Sequence, residues 1–467
     1  MNAALDRYFH ISERGSTVGT EVRAGVVTFF AMAYIILLNP LIVGTSEDVN
    51  GYALGIPQVA AATALIAGIM TIAFGAIAKY PFALAAGLGM NTFVAVTMVS
   101  VKGLSWQEAM GLVVIEGLII VALALSGFRQ AVFDAIPASM KAAMGVGIGM
   151  FIAIIGFVDG GFVTRVPDSA MTPVPVGLGI NGSIATLPAL IFVIGLVLCA
   201  FMVVRNVPGG LFIAIVITTI LALICQAIFG SADWGMATPE LPSILGSMPD
   251  LSIVGHISLL GAFTRLGVLA TVLLIFTLLL TNFFDAMGTM NALGKQAGLE
   301  DETGKLPNLK TALVIEGVGA VAGGAGSVSS NTVYVDSAAG IGDGARTGLA
   351  NIVTGIIFLA AMFFTPLYEI VPIEAAAPVL VVVGAMMASQ LKLIEWDRIE
   401  MAIPAFLTIV VMPFTYSIAN GIGIGFIAFT LMYIFTGRAK EIHWIMWTVA
   451  GLFVLYFGME PIMAAIG

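Results

Sequence analysis

The chain has 467 residues, 60% of them hydrophobic and only 10% charged, with a formal net charge of −9 and a mean hydropathy of +1.08. Soluble domains carry roughly 25% charged residues, so this composition excludes a large water-soluble protein and points to an all-α polytopic membrane protein. The negative charge is spread over loops on both sides and implies no acidic binding partner.

Met1 to Glu21 is polar, with Asp6, Arg7, Glu13 and Arg14, and lacks the short apolar core of a cleavable signal. The first hydrophobic stretch is therefore expected to stay as a membrane helix. Apolar runs near 20 residues mark spanning helices. They fall at about 24–44, 57–78, 81–100, 106–126, 137–157, 186–204 and 209–229 in the first half. The second half gives 265–290, 308–325, 329–342, 346–367, 373–391, 399–416 and 419–437, about fourteen spans in all. A last apolar run, Trp444 to Met463, reads as a further span or an interfacial helix. With the N-terminus in the cytoplasm, only Lys102, Arg165 and Arg265 of the 18 Lys and Arg residues fall outside, a strong positive-inside bias. The loop from Gly230 to Thr264 is acidic and lacks Lys and Arg, which suits the outer face.

Two spans are unusual. The third contains Gly87-Leu88-Gly89-Met90-Asn91-Thr92-Phe93, and the tenth contains Ser329-Ser330-Asn331-Thr332-Val333-Tyr334-Val335-Asp336-Ser337-Ala338-Ala339-Gly340. Alone, each reads as a re-entrant loop or a kink. As a pair, one in each half, they fit the discontinuous helices of an inverted-repeat transporter with a site between them. A weaker echo, Val207 to Ala214 against Asn420 to Ile427, falls where a seven-plus-seven repeat requires it.

Asp285 lies at the end of the apolar run Leu278 to Phe284. A charged Asp at the centre of a membrane helix costs on the order of 2.5–3.5 kcal/mol on insertion scales, so a ligand, an ion or a proton path is expected to offset it. Asp336 sits among small residues, the setting for a half-helix N-terminus that presents backbone N–H groups. The alternative for both is a structural carboxylate that caps a helix or pairs with a Lys. Asn91 carries a donor and an acceptor on one side chain, which suits the edge of a planar base, or else satisfies unwound backbone. Phe93 and Phe284 offer stacking faces, against a packing role. Glu116 and Glu316, in matching Val-Ile-Glu-Gly runs, read as interhelical hydrogen-bonding groups or proton relays, with the structural role favoured.

Cys199 and Cys225 lie in apolar runs and read as small buried residues rather than a disulfide. His10, His256 and His443 lie near span ends or in loops, so no intramembrane metal site is expected. Gly340-Ile341-Gly342-Asp343 and Pro188-Ala189-Leu190 spell two motifs of intramembrane aspartyl proteases, but in the wrong order and some 150 residues apart. No Ser/His/Asp arrangement, Walker loop or nucleotide domain is present, and enzyme chemistry has no support.

These motifs together resemble the nucleobase–cation symporter 2 (xanthine/uracil permease) family, in its AzgA-like adenine, guanine and hypoxanthine branch. The resemblance covers nearly the whole chain. It rests on Leu5-Asp6-Arg7-Tyr8-Phe9, Thr20-Glu21-Val22-Arg23-Ala24-Gly25, Met32-Ala33-Tyr34-Ile35, Gly87-Leu88-Gly89-Met90-Asn91 and Ile136-Pro137-Ala138-Ser139-Met140-Lys141. It continues through Phe284-Asp285-Ala286-Met287-Gly288-Thr289, Tyr334-Val335-Asp336-Ser337-Ala338-Ala339-Gly340 and Thr415-Tyr416-Ser417-Ile418-Ala419-Asn420-Gly421. It implies a fourteen-span inverted repeat with broken third and tenth spans. The core domain would comprise 19–128 and 262–370, the gate domain 129–261 and 371–441, with 442–467 an additional hydrophobic segment. It implies a multi-pass protein of the plasma membrane that imports a purine base without a cofactor, usually coupled to H⁺. Its partners would be the small-molecule base and the lipid bilayer, not nucleic acid, and a homodimer stays open. The same fold carrying xanthine, uracil or an anion, and less readily a channel, stay as alternatives. Carried over by motif, the substrate residues are Asn91, Phe93, Asn282, Asp285, Thr289, Asp336 and Ser337. The proton-coupling candidates are Asp285, Asp336 and Glu316. Two positions depart from the branch pattern: Asp336 replaces the usual Glu, and Asn282 stands where a second acid is common.

Overall fold

A computed structural model describes residues 3–127, 135–165, 176–179, 182–207, 209–230, 234, 238–239, 246–301, 306–367 and 370–466. After the short α1 (Ala3–Phe9), the first span runs as α2 (Val18–Met32), bends through Ala33 and Tyr34, and continues as α3 (Ile35–Asn39). Pro40 lacks an N–H to donate, and the helix loosens into a π-turn over Pro40–Gly44. The second span is α4 (Ile56–Ile77). The third is broken: strand β1 (Leu84–Ala86) gives way to the half-helix α5 (Leu88–Thr92), which continues as a π-helix to Val101. The fourth span, α6 (Trp106–Ser126), opens on a capping box of Ser105 and Glu108.

The remaining first-half spans are α7 (Ala138–Asp159), α8 (Leu187–Val204) and α9 (Gly210–Phe229), with a small hairpin of β2 (Val163–Arg165) and β3 (Val176–Leu178) between the first two. The second half begins with α10 (Gly261–Leu266), the long α11 (Val268–Gln296) and α12 (Leu309–Ala325). The tenth span is again broken, into strand β4 (Asn331–Val333) and half-helix α13 (Ser337–Gly342). Next come α14 (Gly348–Ala361), α15 (Ile373–Met387), α16 (Ile399–Phe414), α17 (Ile418–Phe435) and α18 (Trp444–Ile466). Nine of the described helices are long and apolar enough to cross a membrane, and shorter apolar helices lie at Leu88–Val101, Ile399–Phe414, Asn420–Phe435 and Trp444–Gly458.

The packing map repeats itself when the halves are exchanged. Helix α4 packs on α14 as α12 packs on α6, and α2 on α14 as α11 on α6. Helices α8 and α15 are matched by α16 and α7, α9 and α8 by α17 and α16, and α2 and α13 by α11 and α5. The pairs β1–β4 and α7–α15 map onto themselves. A duplicated unit inserted in opposite orientations produces this symmetry.

Lipid offers no hydrophobic drive between helices, so close approach of small residues holds the spans together. A Cβ on Gly348 would fall onto the carbonyl of Gly75, and one on Gly117 would lie 2.5 Å from the Val321 backbone nitrogen. Near the start of α2 the Glu21 carboxylate accepts the backbone N–H groups of Arg346 (2.9 Å) and Thr347 (3.3 Å), while Arg14 donates to the carbonyls of Lys79 and Arg346. The C-terminal run is one helix lying on α17. Its buried Phe453 packs between Phe276 of α11 and Phe426 of α17, at centroid distances of 5.8 and 6.4 Å.

Candidate functional site

Unwound backbone at membrane depth must find partners inside the protein. The two broken spans meet this demand with each other. Strands β1 and β4 form a short antiparallel ladder with Leu84 opposite Val333, Ala85 opposite Thr332 and Ala86 opposite Asn331. The ladder is extended by Gly87 N–H to the Ser330 carbonyl (3.0 Å) and Tyr334 N–H to the Ala83 carbonyl (2.9 Å). Thr71 exchanges hydrogen bonds with the backbone of Leu84, and Asn351 donates to the Phe82 carbonyl at 2.6 Å. Half-helices α5 and α13 leave this crossing on either side, and α11 packs against both of them and against β4. Asn91, Asp336 and Asp285 are thus carried on three elements that converge on one crossing.

Asp336 is held by Tyr34, whose hydroxyl donates to its Oδ2 at 2.9 Å. The Tyr34 and Tyr334 rings lie 6.3 Å apart, and the Tyr334 hydroxyl donates to the Ala86 carbonyl at 3.1 Å. Tyr334 lies within electrostatic reach of both Asp285 and Asp336, and Glu316 lies within reach of Asp285. Asp285 and Asp336 are partly buried, as is Thr289 one turn beyond Asp285. Asn91 is fully buried, and neither its Oδ1 nor its Nδ2 has a partner among the described residues.

Three expected site residues are also engaged within the protein. The Ser337 oxygen accepts the Ala83 N–H at 3.0 Å, so it serves the crossing itself. Phe93 is buried within the main apolar cluster. Asn282 faces a buried carboxylate: its Nδ2 donates to Glu116 Oε1 at 2.8 Å and to Ser330 Oγ at 2.9 Å, and Ser330 Oγ donates to Glu116 Oε2 at 3.2 Å. Glu116 therefore hydrogen-bonds between spans. Glu316 is also fully buried. The side chain of Phe284 lies outside the described residues.

Sequence reasoning assigned no role to Tyr34, Tyr334 or Ser330. The available signal was a phenol in the middle of an apolar span, because a buried Tyr hydroxyl needs a partner. Asn331 was also overlooked; it is buried with both side-chain polar atoms unpartnered among the described residues. No group of three or more His, Cys, Asp or Glu with metal-holding geometry occurs among the described residues.

Comparison with known proteins places this arrangement. The Permease family profile matches residues 19–424. The guanine/hypoxanthine permease PbuG of Bacillus subtilis is 40% identical over 460 residues, covering 97% of this chain and 99% of that protein. The adenine permease AdeQ of Escherichia coli is 35% identical over 454 residues, covering 97% and 96%. Among solved structures, the transmembrane domain of the cyanobacterial bicarbonate transporter BicA superposes with a TM-score of 0.62 at 18% identity, covering 86% of this chain and 96% of that one. The murine solute carrier 26 family member A9 anion transporter, inward-facing, gives 0.60 at 11% identity, covering 89% and 68%. Those two share the seven-plus-seven inverted fold, although they are too distant in sequence to speak for substrate. The full-length match to permeases, on a fold whose broken spans cross, identifies the chain as a multi-pass membrane transporter of the nucleobase–cation symporter 2 permease family and not an enzyme.

Proposed function

We propose that this permease imports purine bases (adenine, guanine and hypoxanthine) together with a proton across the plasma membrane, with its N-terminus in the cytoplasm. The observation that carries the reading is the convergence on one crossing of two acids, Asp285 and Asp336, with an amide, Asn91, whose donor and acceptor are both unpartnered among the described residues. A purine base is uncharged, planar and edged with alternating donors and acceptors. Carboxylates accept its N–H groups, and the carboxamide matches a mixed edge. The purine permeases among the relatives support the same substrate class.

In this reading 19–128 and 262–370 form the core that carries the site, and 129–261 and 371–441 form the gate against which it moves. The helix pairs within each group support this division, α4 with α14 and α6 with α12 in the core, α7 with α15 and α16 with α17 in the gate. One of the acids Asp285, Asp336 and Glu316 carries the coupling proton. Coupling needs a difference in base affinity between the protonated and unprotonated carrier, because equal affinity shifts no population.

The test is uptake of labelled hypoxanthine by cells lacking their own purine carriers, with competition by adenine, guanine, xanthine and uracil. Saturable uptake, displaced by purines and collapsed by a protonophore, is expected. Absence of displacement by any purine refutes the substrate class, and uptake indifferent to the protonophore refutes proton coupling.

A further inference from the structure

Glu116, Asn282 and Ser330 come from three different spans and close a hydrogen-bonded ring, with all three side chains fully buried. Each proton in the ring is used. The Asn282 amide gives its hydrogens to Glu116 and Ser330, Ser330 gives its hydroxyl hydrogen to the second oxygen of Glu116, and both carboxylate oxygens accept. The arrangement is also directional. With Glu116 ionised, an amide turned the other way would set its carbonyl oxygen against lone pairs alone. What remains is Asn282 Oδ1, buried and without a partner among the described residues. Asn282 precedes Asp285 by three residues on α11, and residues three apart on a helix share a face. The free carbonyl and the Asp285 carboxylate therefore stand one above the other on the helix that packs against the crossing.

We infer that Glu116 is a positioning residue that fixes the Asn282 amide with its carbonyl oxygen as the free edge, so that the site reads an N–H donor on the base at this point. The inference rests on the purine-carrier reading and deepens it. Glu116 does not touch the base; it determines which edge of Asn282 does. A site built to hydrogen-bond an N–H group discriminates strongly against an analogue that presents an acceptor there, since one buried polar group is then left unpaired.

Exchange of the ring chemistry tests this in the full-length protein in proteoliposomes, with uptake of labelled adenine and hypoxanthine measured side by side. These bases differ in an amino against an oxo substituent. In Glu116→Lys the ammonium offers donors only, so the Asn282 side chain turns its Oδ1 toward it and its NH₂ becomes the free edge. The adenine-to-hypoxanthine ratio of uptake efficiency is expected to move at least about tenfold toward hypoxanthine. In Glu116→Lys/Asn282→Asp, Lys donates to Asp, a carboxylate oxygen is again the free edge, and the wild-type ratio is expected to return. A merely structural role lowers both substrates together, so an unchanged ratio in the single variant overturns the inference. If Glu116→Lys fails to reach the membrane, the double variant alone decides: a ratio displaced toward hypoxanthine overturns it. Wild-type protein that takes up neither base refutes the purine reading instead, which keeps the two failures apart.

Discussion

Tyr34→Phe deletes one hydroxyl and leaves the ring, so it isolates the bond from Tyr34 to Asp336. That bond is 2.9 Å long, and Tyr34 is 1% exposed. Hydrogen bonds to a charged group contribute about 1.5–3 kcal/mol, and each 1.4 kcal/mol is a factor of ten in an equilibrium. If the bond holds Asp336 in its base-binding orientation, its loss raises the apparent KM for uptake by about tenfold to a hundredfold. Tyr334→Phe supplies the internal comparison. Its hydroxyl donates to the Ala86 carbonyl, a neutral acceptor, at 3.1 Å. A neutral bond contributes about 0.5–1.5 kcal/mol, or roughly two- to tenfold. Initial rates of labelled hypoxanthine uptake, normalised to the amount of each variant in the membrane, give both values. The expected order is Tyr34→Phe worse than Tyr334→Phe, in KM rather than in abundance. An unchanged KM in Tyr34→Phe, or a larger effect at Tyr334, refutes the view that Tyr34 positions a functional carboxylate.

Asp285→Asn keeps the shape and removes the charge; uptake is expected to fall at least about tenfold at unchanged membrane abundance, and normal uptake removes Asp285 from the site. Asn91→Ala deletes an amide that has no protein partner among the described residues, so the melting temperature of the purified variant should hold while base affinity falls. A lower melting temperature with intact affinity would assign Asn91 to the backbone instead. Gly348→Ala sets a methyl group onto the Gly75 carbonyl. Overpacking costs about 1–3 kcal/mol where neighbours can relax, and here the neighbour is backbone, so the yield of folded protein should drop. Gly451→Ala, which meets nothing within 4 Å, should leave it unchanged.

The span pattern was legible because the bilayer imposes one period and one length on every ordinary span, and the runs at 106–126 and 186–204 match helices Trp106–Ser126 and Leu187–Val204. The broken spans were legible for the opposite reason, since Gly87 to Thr92 and Ser329 to Asp336 are too polar or glycine-rich for lipid-facing helices. The partner of each polar residue was not legible. Asn282 stands three residues from Asp285, but that spacing could not show that its two protons go to Glu116, 166 positions earlier, and to Ser330. Sequence spacing orders residues along one helix and says nothing of which face of which distant helix they meet. The same limit hid Tyr34, which is 302 positions from the carboxylate it holds.

The crossing also constrains how such a carrier can move. Strands β1 and β4 come from opposite halves, and they share the ladder with Gly87, Ser330, Tyr334 and Ala83. Separating them would strand several backbone groups at membrane depth, each costing several kcal/mol. No differential affinity for an uncharged base offsets that sum. The two broken spans must therefore travel together, and with them Asn91 and Asp336, which they carry. Movement is left to seams held by apolar contact alone. One lies where Phe30 of the first span faces Phe212 of the seventh at 6.2 Å, beside an apolar groove that includes Val27 and Ile213. Sliding there exchanges one apolar neighbour for another and breaks no hydrogen bond. For the proposed core and gate, this contrast favours displacement of an intact core over a gate that opens by parting the ladder.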